Sequence, residues 1–308
     1  MPELPEVQTT VNGINAVAKG KTISAVWTDY RSVAHIGKDN IKDKIFFESF
    51  KKKVTGKKIL GATRRAKNIL IHLSGGLTIL IHMKMTGYVM YGSYSFDAKK
   101  SRDPWMAAEA GPLSDSFNRF IHLVFTLSTG KQLVLSDMRK FAKVTLLETK
   151  DIEHSAHLDS IGPEPLEKSF TFELFKERIM KRPTGRIKTV LMDQSLIAGI
   201  GNIYSDEALF LASLHPEERV KNISESFLKK LYSAIKAVLE KGIDFGGDST
   251  SDYRNIKGER GKFQAHHNVY RRTGKPCPRR GCTGTIIRKI VGGRSAHFCD
   301  THQKLLKK

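Results

Sequence analysis

Cys277-Pro278-Arg279-Arg280-Gly281-Cys282, followed after sixteen residues by Cys299-Asp300-Thr301-His302, decides how the C-terminal end of the chain folds. Four soft donors in two close pairs suit tetrahedral Zn2+, and four protein ligands leave no open coordination position, so the implied ion is one structural Zn2+. These three cysteines are the only ones in the chain. That count argues against a disulfide framework and for a metal site formed by Cys277, Cys282, Cys299 and His302. Gly281, Gly284 and Gly292-Gly293 supply turns, which predicts a small hairpin of residues 285–290 and 295–298 pinned by the metal. Such a hairpin buries too little apolar surface to fold alone.

The same segment is the most basic of the chain: residues 271–308 hold eleven Lys or Arg against the single acid Asp300. Over all 308 residues Lys and Arg outnumber Asp and Glu by 52 to 31, a net charge of +21. That field attracts polyanions, so nucleic acid is the leading partner and a membrane surface the rival on charge alone. Arg294, at the Gly292-Gly293 tip, is placed to reach into the nucleic acid. No stretch approaches the roughly 18 apolar residues of a membrane span, and the N-terminus lacks the basic and apolar regions of a secretory signal. A cytoplasmic protein with no membrane contact is expected.

Upstream, Gln194-Ser195-Leu196-Ile197-Ala198-Gly199-Ile200-Gly201-Asn202-Ile203-Tyr204-Ser205-Asp206-Glu207 lies between a helix around Ile187 and an apolar segment ending near Leu211. Gly199 and Gly201 permit a tight turn that turns backbone N–H groups toward an anion, and Asn202 can cap the following helix and donate to a phosphate. On its own this pattern also fits a plain turn between helices. A further helix is predicted over residues 223–241, capped by Asn222 and Glu225 and stopped at Gly242. Residues 244–262 are Gly-rich and polar, the composition of a mobile lid or linker.

The first half alternates in the manner of strands: residues 69–73 and 77–82 flank Ser74-Gly75-Gly76, and residues 121–127 and 132–135 flank Ser128-Thr129-Gly130. These read as antiparallel hairpins of a β-sandwich. Residues 93–118 read as a long surface loop without an assigned role. The helical period begins after Gly162-Pro163-Glu164-Pro165, so the predicted domains are 1–155, 163–262 and 263–308, an α+β chain. At the start, Pro2 becomes a secondary amine once Met1 is removed, able to attack a sugar's anomeric carbon, with Glu3 beside it as acid or base.

Met1-Pro2-Glu3-Leu4-Pro5-Glu6-Val7, the Ala198-Gly199-Ile200-Gly201-Asn202-Ile203-Tyr204 turn and the zinc-type finger together resemble formamidopyrimidine-DNA glycosylases over essentially the whole chain. The resemblance implies an N-terminal antiparallel β-sandwich, a helix-two-turn-helix domain and a zinc-finger hairpin. It also implies removal of oxidised purines from damaged double-stranded DNA, followed by strand nicking, by a monomeric enzyme. Within it Pro2 is the Schiff-base nucleophile, Glu3 the acid at the sugar, Lys67 a phosphate-binding lysine, and Arg294 an aid to elimination. Met85, Arg139 and Phe141 would fill the gap left by an everted nucleotide, and His82, His122, Lys188 and Asn202 would contact DNA. Residues 246–263 would close over the extruded base, since chemistry on a base requires taking it out of the stack. The finger departs from the family's two Cys-x2-Cys pairs by its four-residue first spacing and by His302. Rival readings are an endonuclease VIII-type enzyme for oxidised pyrimidines, which Leu4 and the long lid disfavour, and a non-catalytic lesion-binding protein, which needs no Pro2, Glu3 or Lys67. From the residues alone Met85 and Phe141 fit a core as well.

Overall fold

The computed structural model describes residues 1–306; Lys307 and Lys308, part of the basic count above, lie outside the described residues. The chain forms two compact units, one of residues 1–159 with 245–262 and the other of residues 160–244 with 263–308.

The first unit contains α1 (Leu4–Ala18), β1 (Ile23–Thr28), α2 (Lys44–Val54), β2 (Ile59–Arg65), β3 (Asn68–Leu73), β4 (Leu77–His82), β5 (Gly87–Gly92), β6 (Tyr94–Phe96), β7 (Trp105–Ala107), β8 (Ile121–Leu127), β9 (Gln132–Asp137) and β10 (Lys143–Glu148). Two four-stranded antiparallel sheets, ordered β1-β8-β9-β5 and β10-β4-β3-β2, make the expected sandwich. The β3–β4 hairpin closes with Leu73 opposite Leu77 across Gly75 and Gly76, both at positive φ. Ile69, Ile71 and Leu73 of β3 and Val89 of β5 point into one core with Leu123, Phe125, Leu133 and Leu135. Ile69, Ile71 and Leu73 of β3 and Leu77, Ile79 and Ile81 of β4 recur every second residue in that core, and their packing holds the two sheets face to face.

The first helix goes beyond the strand-dominated reading. Leu4, Val7, Val11, Ile14 and Ala18 recur at helical spacing and are buried, which offsets the weak helix propensity of Thr9, Thr10 and Gly13. The Gln8 carboxamide oxygen accepts from Arg64 Nε at 3.0 Å, while Asn15 exchanges two hydrogen bonds of 2.8 and 2.7 Å with the Ala62 backbone. α1 therefore runs antiparallel to β2, with its N-terminus toward the β2–β3 turn.

The second unit holds α3 (Phe172–Met180), α4 (Ile187–Leu191), α5 (Asn202–Leu211), α6 (Glu225–Asp244) and the hairpin β11 (Ile286–Val291) and β12 (Arg294–Cys299). α6 starts at Glu225, after a short 3-10 turn at Val220–Asn222, and runs through the buried Gly242, which does not stop it. The proposed Asn222 cap is thereby corrected.

The unit boundaries also differ from the predicted three domains. The finger belongs with the helices because α5 holds it by two carboxylates. Asp206 Oδ2 accepts from the backbone N–H of His297 at 2.9 Å and lies 3.0 Å from its Nδ1. Glu207 accepts from the backbone N–H groups of Asn268, Val269 and Tyr270 and from the Asn268 carboxamide, all at 2.8–2.9 Å. Phe210, Val269, Ile286, Cys277 and Cys299 form a small shared core. Residues 245–262, expected with the helical domain, pack instead on the sandwich. No helix among the described residues is long and apolar enough to cross a membrane.

Candidate active site and metal centre

Pro2 is buried immediately ahead of α1. Glu3 is the N-cap; its backbone N–H donates to Glu6 Oε2 at 2.7 Å, and Glu6 Oε1 accepts from the Asp248 N–H at 2.7 Å. Glu6 thus fixes the helix start that carries Pro2 and Glu3 and ties residues 245–262 to it. The sequence signal for Glu6 was available in the Glu-x-x-Glu spacing of a capping box, but its second bond is long-range. With Met1 in place the Pro2 nitrogen lies in a peptide bond; its removal makes that nitrogen a secondary amine at the positive end of α1.

Lys67 sits in the two-residue turn between β2 and β3, where Ala66 has φ +52° and Arg65 pairs with Asn68. It is only 7% exposed, unusual for a lysine on a turn. The direction of α1 along β2 brings the helix start and this turn to the same end of the sandwich. His82, paired with Asn68 and Lys143 across β3 and β10, is held neutral: burial first, then the charges of Lys84 and Lys67, push its pKa down to about 3.

Met85, in the β4–β5 turn, is 38% exposed, and Phe141, in the β9–β10 turn, 47%. Neither is core. The Arg139 guanidinium lies 4.3 Å from the Phe141 ring centroid, a cation–π contact. Both turns hang on Asp137, which is fully buried at the end of β9. Its carboxylate accepts from Thr86 Oγ1 at 2.5 Å, Tyr30 OH at 3.1 Å and the Ala142 N–H at 2.7 Å, and Thr86 Oγ1 in turn accepts from the Arg139 N–H at 3.2 Å. The three exposed side chains are therefore presented by one shared anchor. Sequence reasoning missed Asp137 and Thr86, whose roles depend on strands far apart in the chain. His122, proposed as a DNA contact, is buried, with Nδ1 2.8 Å from Asp29 Oδ1. Its structural role there is to hold Asp29, which also pairs with Lys140 at 3.0 Å.

In the second unit, Gln194 pins the turn between α4 and α5: its Oε1 accepts from the Gly199 N–H at 2.9 Å and its Nε2 donates to the Ile200 carbonyl at 2.8 Å, with Gly199 at φ +82°. Asn202 is the first residue of α5 and half-buried; the cap position belongs to Gly201, which corrects the capping role given to Asn202. Lys188 is corrected more fully. It is completely buried in α4, its ammonium paired with Asp206 Oδ1 and 3.4 Å from Ser205 Oγ. An ammonium buried and paired in this way supports the turn from within. Arg294 is exposed at the start of β12, beside the Gly292-Gly293 turn, where both glycines have positive φ.

Cys277, Cys282, Cys299 and His302 offer four ligand atoms within 4.8 Å of one another. Cys282 Sγ lies 3.6 Å from both Cys299 Sγ and His302 Nδ1, and Cys277 Sγ lies 3.5 Å from His302 Nδ1. A tetrahedron with Zn–S of about 2.3 Å and Zn–N of about 2.0–2.1 Å has S–S edges of about 3.8 Å and S–N edges of about 3.6 Å, so the cluster has the size of a zinc site. The four-residue Cys277–Cys282 spacing is accommodated by Gly281 at φ +76° and by Gly284, whose Cβ would stand 2.6 Å from Cys299 Sγ.

The family model "Formamidopyrimidine-DNA glycosylase N-terminal domain" matches residues 1–144, and "Formamidopyrimidine-DNA glycosylase H2TH domain" matches residues 161–254. Among curated proteins, the formamidopyrimidine-DNA glycosylase of Pelotomaculum thermopropionicum is 37% identical over 305 residues, covering 99% of this chain and 100% of that protein. The one from Bacillus subtilis is 36% identical over 302 residues, covering 97% and 98%. Among solved structures, Lactococcus lactis Fpg in complex with DNA containing an abasic site superposes with a TM-score of 0.80 at 31% identity, covering 98% of this chain and 99% of that one. A mutant of the same protein with DNA containing Fapy-dG gives 0.81 at 32% identity, covering 98% and 100%.

Proposed function

The chain belongs to the formamidopyrimidine-DNA glycosylase family, and from that premise we propose that it excises oxidised purines, 8-oxoguanine and formamidopyrimidines, from double-stranded DNA and nicks the strand. The observation that carries the reading is the head of α1, where Pro2 and the buried Glu3 stand beside Glu6 at the end of the sandwich that also bears Lys67.

With Met1 removed, the Pro2 nitrogen attacks C1′ of the lesion nucleotide, the C1′–N bond to the base breaks, and the base leaves with a proton. Glu3 supplies the proton shuttle at the sugar. Displacement leaves an aminal at C1′; the C1′–O4′ bond then breaks, with O4′ taking a proton from Glu3, and the ring-opened iminium acidifies C2′. Loss of that C2′ proton expels the 3′ phosphate, and a second elimination expels the 5′ phosphate. Lys67 holds a phosphate beside the reacting sugar, and Arg294 assists the eliminations. Met85, Arg139 and Phe141 occupy the space vacated by the everted nucleotide, a reading supported by their shared exposure and common anchor on Asp137. His82 and Asn202 contact the DNA backbone in this reading, and the burial of His122 and Lys188 supports a scaffolding role for them instead. The four-ligand cluster holds one structural Zn2+, which stabilises the hairpin and performs no chemistry. The protein works as a monomer in the cytoplasm on chromosomal DNA.

Single-turnover excision on otherwise identical duplexes tests the substrate class. Faster release of 8-oxoguanine than of thymine glycol is the expected result. The reverse order transfers the chain to the oxidised-pyrimidine reading.

A further inference from the structure

Residues 93–118, without a role in the sequence reading, and residues 245–262 meet on the first unit. The Asn118 carboxamide is buried; it donates to the Pro112 carbonyl at 2.7 Å and to the Gly258 carbonyl at 3.1 Å, and its oxygen lies 3.0 Å from the Tyr88 hydroxyl. Gly258 has φ +79°, and a Cβ there would stand 2.9 Å from Asn118 Nδ2 and 3.1 Å from the Pro112 carbonyl oxygen and from Leu113. Arg254 is buried with its guanidinium carbon 4.3 Å from the Phe117 centroid, and Phe117 itself stacks with Tyr88 at 6.4 Å and 14°. Burying a guanidinium is costly unless its charge finds a partner, and the ring face supplies one. One further hydrogen bond and one packing contact run to the sandwich: Tyr91 N–H donates to the Ile256 carbonyl at 2.8 Å, and Ile256 covers Gly13 of α1 so closely that a Cβ on Gly13 would stand 2.7 Å away.

We propose that the 93–118 excursion is a dock that fixes the 245–262 loop in one conformation, with Phe117 and Asn118 acting as positioning residues for base recognition through Arg254 and Gly258. This rests on the reading that the 245–262 loop covers the extruded base. A loop ordered by the protein's own contacts loses less entropy on engaging a base. The dock therefore serves excision, which needs the base held, and not cleavage at a site that has no base.

The test uses the full chain with Asn118→Ala and Phe117→Leu, three readouts, and Arg254→Lys against Arg254→Gln. Both excursion variants should raise hydrogen exchange of the loop amides, Asn255 and Gly258 among them, by tenfold or more. They should slow 8-oxoguanine excision about tenfold, and leave nicking of a pre-formed abasic site within twofold of the unsubstituted protein. Arg254→Lys, which keeps a cation at the ring, should retain most of the excision that Arg254→Gln loses. Unchanged loop exchange overturns the proposal, and so does a parallel loss of excision and abasic nicking, which marks general damage. If the unsubstituted chain nicks abasic sites but releases no 8-oxoguanine, the substrate reading fails while the exchange result still decides the dock.

Discussion

Arg139 carries the sharpest expectation at the residue scale. A guanidinium has only donors to offer, and the Watson–Crick edge of cytosine presents acceptors at O2 and N3, so an inserted Arg139 favours cytosine opposite the lesion. Losing one charge-assisted hydrogen bond costs about 1.5–3 kcal/mol, roughly a ten- to hundredfold discrimination. Arg139→Ala should flatten the preference for cytosine over adenine in excision assays while nicking of abasic sites persists; an undiminished preference would remove Arg139 from this role. His82 makes a prediction about pH. Its folded pKa, about 3, lies below the ordinary histidine value near 6.5, so the unfolded chain takes up the proton first. Stability from the neutral ring is present above about pH 6.5 and is lost as pH falls toward 3. Between pH 7 and pH 5 this amounts to at most about 2 kcal/mol. Urea unfolding of His82→Asn should show a correspondingly smaller drop over that interval, and an identical drop would show that other groups dominate the acid response.

Among the elements, those set by neighbouring residues were legible in the sequence and those set across the chain were not. The finger could be read because its ligands and glycines are local, and the observed hairpin Ile286–Val291 with Arg294–Cys299 lies within a residue of the strands expected. The hairpins of the sandwich followed from alternation bounded by Gly turns. α1 did not, because its β-branched residues and Gly13 are weak helix formers and its stability comes from packing along β2. The burial of Lys188, named from the resemblance alone, had no local signal, because only the fold brings Asp206 to it. The home of residues 245–262 depends on Glu6, Tyr91 and Asn118, which no local pattern connects to that loop. For the finger itself, His302→Ala should abolish stoichiometric zinc and weaken DNA binding at least about tenfold while the sandwich keeps its melting behaviour, because a metal held by the four ligands would brace a hairpin whose own core is small. Zinc-free protein with undiminished affinity would contradict that assignment.

Across the whole molecule, a +21 chain brings DNA to the protein regardless of sequence, and such binding weakens steeply with salt. Charge alone, however, would serve an architectural binder equally well. What separates an enzyme from such a binder is the amine at Pro2, so the decisive event is a covalent bond at that atom. The direct measurement is borohydride reduction during reaction with an 8-oxoguanine duplex, followed by peptide mapping of the trapped complex, on protein whose Met1 has been removed. One DNA adduct per chain on the Pro2 nitrogen is expected, and none when Met1 is retained or Pro2 is replaced by an N-terminally blocked residue. An adduct mapped to Lys67 or another lysine, or trapping that survives with Met1 in place, would contradict the Pro2 assignment.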